Sequence, residues 1–208
     1  DLSGKRQLKK ALLEEVGLGD TEAPVIGIVS RLTSQKGFDL GFEILPRLLA
    51  HHGVRIVALG SGEPRYEEFF TALQQTFPHK AWFYRGFHNP LAHRIEAGAD
   101  LFLMPSKFEP CGLNQMYSLR YGTLPVVHKT GGLADTVEPH DSSNGSGTGF
   151  VFEHFTPTGL AWALDVALRT YADRETWARL QANGMAKNMS WEVQGREYLD
   201  LYARLSAH

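Results

Sequence analysis

Residues 25–39 read VIGIVSRLTSQKGFD. An apolar run stops at Ser30. Arg31 and Lys36 follow on a short polar turn, and Gly37 comes directly after the lysine. A short apolar run rich in Val and Ile, closed by turn-forming residues, predicts a strand buried on both faces, here over 23–30. Residues 37–53 then carry apolar side chains at helical spacing and end on Gly53, which predicts a helix, kinked at Pro46. A strand, a helix and a further apolar strand at 54–62 form the repeating unit of a parallel sheet, because parallel neighbours need a long crossover between them.

The unit recurs along the chain. Further strands are expected at 81–86, 100–106, 123–132 (this one with its loop) and 149–153, with helices at 64–77, 89–99 and 111–122. Right-handed crossovers then place helices on both faces, which predicts an α/β fold with a doubly wound, Rossmann-like parallel sheet. The division expected is a lead-in helix and linker at 1–22, the Rossmann-like domain at 23–188 and a terminal helix at 189–208. Residues 138–149, EPHDSSNGSGTG, are rich in turn formers and read as an exposed loop.

Bulk properties narrow the class. The 208 residues are 43% hydrophobic, enough for one large domain with a real core. A formal net charge of -2 points away from nucleic acid or an anionic membrane surface as partner. The single cysteine, Cys111, excludes a disulfide framework and fits a reducing cytosol. No apolar run approaches the ~18 residues of a membrane span.

In open parallel sheets, ligands bind beyond the carboxyl ends of the strands, which selects the loops 30–37, 60–64, 86–88, 105–112 and 128–133. Arg31 and Lys36 stand at such a strand end. Together with the free N–H groups of a helix start they suit a diphosphate, although two solvated surface cations would look the same. In PSKFEPCGLNQ (105–115), Glu109 lies between two prolines, and Gly112, Leu113 and Asn114 open the next helix. A carboxylate held there can bind sugar hydroxyls or stabilise developing positive charge; it can equally be a helix cap. Cys111 reads as small filler rather than a nucleophile. Gly131 and Gly132 allow close approach of a ligand, or simply a tight turn. His88 and His128 are placed at the cleft mouth. No dinucleotide glycine fingerprint, Walker lysine loop or metal-spaced His/Cys cluster occurs, so no metal and no cofactor are expected.

Three stretches in series, SRLTSQKG, ADLFLMPSKFEPCGLNQMYSLRYGTLPVV and KTGGLADTV, resemble the bacterial glycogen synthase and plant starch synthase family. The likeness runs over nearly the whole chain, including Ser190-Trp191 before the terminal helix. It implies a retaining glycosyltransferase of two Rossmann-like lobes, the GT-B arrangement, moving glucose from ADP-glucose to the non-reducing end of an α-1,4-glucan in the cytoplasm, bacterial or plastid. Only the carboxyl-terminal, nucleotide-sugar-binding lobe is matched; the acceptor glucan would bind mainly through the other lobe, to which the terminal helix would cross. By position, the resemblance makes Arg31 and Lys36 the diphosphate pair and Glu109 the carboxylate beside the transferred glucose. It makes Cys111, Gly112 and Leu113 backbone contacts to the sugar and Asn114 a contact near the phosphates. Phe87 would face the adenine. Many related transferases carry a second Glu eight positions after the first; here that position is Tyr117, as is common in this branch, so ribose recognition stays open. The expected substrate is ADP-glucose and the expected mechanism a same-face displacement assisted by the departing ADP oxygen. The alternatives are a stand-alone nucleotide- or glucan-binding module and a related transferase using a UDP-sugar.

Overall fold

The computed structural model describes residues 2–206. Six strands form one sheet: β1 (Val25–Leu32), β2 (Arg55–Gly62), β3 (Ala81–Arg85), β4 (Leu101–Met104), β5 (Leu124–His128) and β6 (Phe150–Phe152). All neighbours are parallel and the order is β3-β2-β1-β4-β5-β6. The doubly wound, Rossmann-like expectation is therefore met, and the order reverses direction between β1 and β4.

Side chains along each strand alternate between faces, and the core divides accordingly. Ile26, Ile28, Ile56 and Leu103 lie on one face, packed with Leu45 and Leu49 of α2 (Ile44–His51), Tyr66 and Phe70 of α3 (Pro64–Thr76) and Leu160 and Leu164 of α7 (Pro157–Ala172). Val25, Val57 and Phe102 face the other way, against Leu12 and Leu13 of α1 (Lys5–Glu15) and Leu91 and Ile95 of α4 (Asn89–Gly98). Gly27 lets α4 press onto β1: a Cβ there would lie 2.8 Å from Ile95 Cγ2 and 2.9 Å from Ala99 Cβ.

α1 is tied to the amino end of the sheet by polar bonds as well. Lys9 Nζ lies 2.8 Å from Asp100 Oδ2, with both side chains 9% exposed, and donates to Ala23 O and Tyr171 Oη. Asp100 Oδ2 also accepts from Val25 N at 2.8 Å. Lys5 Nζ donates to Ala97 O at 2.7 Å and to Thr123 Oγ1. Burial pulls the Lys5 ammonium down to about 7, against the attraction of Asp100 and with repulsion from Lys9.

The remaining helices are α5 (Asn114–Arg120), α6 (Gly131–Thr136), α8 (Arg174–Ala186) and α9 (Trp191–Ser206), and no described residue of α9 is buried. Two local expectations need correction. The helix over 37–53 is instead two 3-10 turns, Ser34–Lys36 and Phe38–Gly41, followed by α2. Pro46 is the third residue of α2, in the first turn where its missing N–H has no intrahelical partner anyway, so no kink is needed. β1 runs on to Leu32, which puts Arg31 inside the strand rather than on the turn beyond it. Among the described residues no helix is long and apolar enough to cross a membrane.

Candidate active site

β1 pairs with β2 along its whole length, but with β4 only at Ile26 and Gly27. Its other side is left open from Ile28 onward, and a cleft of about 180 Å3 forms at this switch point. Arg31, Lys36, Glu109, Gly112, Leu113 and Asn114 all line it. Asn114 Nδ2 donates to Val29 O at 3.1 Å, taking up a carbonyl on the side of β1 where the ladder has stopped.

The loop after β1 is shaped to meet the loop after β4. Lys36 N–H closes on Thr33 O at 2.9 Å, and Gly37 follows in the left-handed region at φ 70°. A Cβ on Gly37 would stand 2.1 Å from Pro105 O, so only glycine permits this approach. Lys107 N–H donates to Gln35 O at 2.9 Å, and Gln35 Nε2 to Phe108 O at 3.1 Å. Lys36 and Glu109, 73 positions apart, are thereby brought together: Nζ lies 2.5 Å from Oε2, with side-chain exposures of 15% and 9%. Ser106 Oγ donates to the same carboxylate oxygen at 3.2 Å.

The paired glycines sit behind this loop, and what approaches them is backbone. Gly132 N–H donates to Glu109 O at 3.0 Å. A Cβ on Gly131 would fall 2.2 Å from Glu109 O, and one on Gly132 2.0 Å from Cys111 O. Their closeness serves the 109–111 loop. Gly112, at φ 74°, turns the chain into α5, whose first intrahelical acceptor is Leu113 O. The helix thus begins at Asn114, later than the expected 111, and the N–H groups of Gly112 to Asn114 have no intrahelical partner.

Other expected residues lie at or beyond the rim. Cys111 is exposed, with Sγ directed at Gly112 O at 3.4 Å. Tyr117 is 43% exposed and packs edge-on against His93. Phe87 is 84% exposed on the loop between β3 and α4. The two histidines do not line the cleft. His88 caps α4, its Nδ1 accepting from Leu91 N at 3.1 Å. His128 is buried behind the cleft, with Nδ1 2.9 Å from Ser106 O.

A family profile described as "Glycosyl transferases group 1" matches residues 10–184. The chain belongs to that family. Among its relatives, a glycogen synthase of Anaeromyxobacter dehalogenans is 53% identical over 99% of this chain, and one of Streptococcus sanguinis 49% identical over 99%. The chain spans 43% of the length of each. The catalytic domain of starch synthase IV from Arabidopsis thaliana, solved bound to ADP and acarbose, superposes on all of this chain with a TM-score of 0.88 at 35% identity, the match covering 44% of that structure. This chain is accordingly a single lobe of a GT-B arrangement.

Sequence reasoning missed several residues that hold the cleft in shape. Gln115, fully buried, donates from Nε2 to Cys111 O and Gly112 O, both at 3.0 Å, and to Thr136 Oγ1 at 3.1 Å, tying the cleft loop to α6. Ser106 and Gly37 act as described above. Only Gly37 carried a sequence signal, a glycine right after a polar turn. Among the described residues no group of three or more His, Cys, Asp or Glu is placed to hold a metal ion.

Proposed function

We propose that this chain is the donor-binding lobe of an ADP-glucose-dependent glycogen or starch synthase, a retaining transferase that extends the non-reducing end of an α-1,4-glucan. The observation that carries the reading is the convergence of Arg31, Lys36 and Glu109 in one cleft at the switch point of the sheet. Arg31 and Lys36 supply two positive charges where a diphosphate would leave, and charge stabilisation of this type is worth about 3 kcal/mol per donor in related settings. They take the part that a metal ion plays elsewhere, so the reaction needs none. Glu109 accepts from the hydroxyls of the transferred glucose. The backbone of Cys111, Gly112 and Leu113 lines the sugar, Asn114 lies near the phosphates, Phe87 faces the adenine, and Tyr117 stands where many related transferases carry the Glu that reaches the ribose. Gly131 and Gly132 support the reading indirectly, by seating the Glu109 loop.

In this reading the chain divides into the lead-in segment 1–22, the nucleotide-binding body 23–188 and the terminal helix 189–208. The exposed aromatic and aliphatic side chains of α9, Trp191, Tyr198, Tyr202 and Leu205 among them, suit a helix that docks on the acceptor lobe. The lobe alone binds donor without turning it over, and the whole enzyme works in the cytoplasm. Attack comes from the face that ADP leaves, with the departing phosphate oxygen taking the acceptor's proton.

Calorimetric titration with ADP and UDP, on this chain and on Arg31→Ala, tests the reading. ADP binding in preference to UDP, weakened about 100-fold by the substitution, is expected. A preference for UDP would instead favour a transferase of another donor class.

A further inference from the structure

The carboxylate of Glu109 is braced from behind the cleft. Its Oε2 accepts from Ser106 Oγ, and Ser106 is itself 1% exposed. Ser106 O in turn lies 2.9 Å from Nδ1 of His128, the last residue of β5. A carbonyl only accepts, so Nδ1 carries the hydrogen. The imidazole is set between two rings, Phe152 at 5.4 Å and Phe155 at 5.2 Å between centroids. Phe155 also bounds the space beside Gly37, where a Cβ would lie 2.9 Å from its Cε2. The ring therefore has one orientation, and its N–H is a fixed peg under the loop. Among the described residues no histidine lines the cleft, and this one serves no step of the reaction proposed above.

We infer that His128 is a positioning residue for the sugar-facing carboxylate. It fixes the carbonyl of Ser106 and, through it, the direction of Ser106 Oγ. That hydroxyl and Lys36 both engage Oε2, which leaves Oε1 for a sugar hydroxyl. The inference rests on the reading of Glu109 as the residue beside the transferred glucose.

Two substitutions separate positioning from packing. His128→Phe keeps an aromatic ring between Phe152 and Phe155 but has no donor. His128→Asn loses the ring but keeps an N–H one bond from Cγ, where Nδ1 stands now. Amide exchange measured on the whole chain should be faster by roughly fivefold over residues 106–111 in His128→Phe, the size expected for one net hydrogen bond, and restored in His128→Asn. Calorimetry supplies a second readout, the ratio of the ADP and ADP-glucose dissociation constants. In His128→Phe that ratio should fall towards one while ADP affinity stays within twofold; in His128→Asn it should be retained. Unchanged exchange in His128→Phe would overturn the inference, as would equal damage in both variants or a matching loss of ADP affinity. If the unsubstituted chain gained nothing from the glucose, the reading of Glu109 would fall, while the exchange data would still decide whether His128 holds the loop.

Discussion

The 2.5 Å contact between Lys36 and Glu109 makes the cleft's cation and its carboxylate compete for each other before any ligand arrives. Replacing Glu109 by Gln should therefore tighten ADP binding. Among the residues lining the cleft, Arg31 and Lys36 carry two positive charges and Glu109 one negative, a local sum of +1 that becomes +2 in Glu109→Gln. At an effective dielectric of about 20, unit charges at this separation attract by about 7 kcal/mol, most of it offset by desolvation. At the same dielectric a phosphate about 6 Å from the carboxylate would be relieved of about 3 kcal/mol of repulsion, or about a hundredfold in affinity before solvent screening. Lys36→Met should do the reverse: ADP binds at least tenfold more weakly, and the fold loses about 3 kcal/mol because a carboxylate is left buried without its cation. Titration of both single variants and the double variant with ADP, at low and at raised salt, measures the coupling directly. An unchanged or weaker ADP affinity in Glu109→Gln would refute the competition, and with it the placing of the diphosphate beside Lys36.

Two further outcomes are expected. Gly37→Ala should lower the denaturation midpoint by the equivalent of 2 kcal/mol or more, since it combines a left-handed backbone with a Cβ 2.1 Å from Pro105 O; Gly53→Ala, where a Cβ meets nothing within 4 Å, should change it by less than about 0.5 kcal/mol. Stability should rise with pH from about 7 towards 10.5, because Lys5 is lowered to about 7 in the fold and the unfolded chain binds the extra proton throughout that window. The slope is up to about 1.4 kcal/mol per pH unit and should vanish in Lys5→Met, as thermal melts at pH 7, 8 and 9 would reveal; Lys9, held above its ordinary value despite its burial, by Asp100, stays charged across the same range.

The parts of this fold that were legible in the sequence are those written in local pattern. β1, β2 and β4 are apolar runs closed by turn formers, and their alternation with helical stretches implies the parallel sheet. Residues 37–43 misled because Phe38 and Leu40 are buried from 3-10 turns, which place apolar side chains at a spacing close to that of a helix. Arg31 looked like a turn residue because it is charged and exposed; it is exposed within a strand because the partner on one side has already ended. Arg31, Lys36, Glu109 and Gly112 to Asn114 could be gathered from strand-end position and family likeness. What stayed hidden were bonds between distant segments, such as Ser106 to Glu109 through a loop reversal, His128 under Ser106, and Gln115 to Thr136. No spacing rule connects those positions, and of the glycine pair the sequence does not reveal that its nearest neighbours are the carbonyls of Glu109 and Cys111.

The bonds from Gln35 to Lys107 and Phe108, and from Lys36 to Glu109, also set what can be exchanged. Residues 33–37 and 105–113 meet over a seam where the strand ladder has stopped, and each buries part of the other. Transplanted singly into a sister scaffold, either loop would arrive without its counterpart and lose the geometry it brings. Transplanted as a pair, they carry their own lock with them. Heritable change of donor preference in such a lobe is thus expected to move through both loops at once, and chimaeras cut between them to fail in the cleft while the sheet beneath still folds.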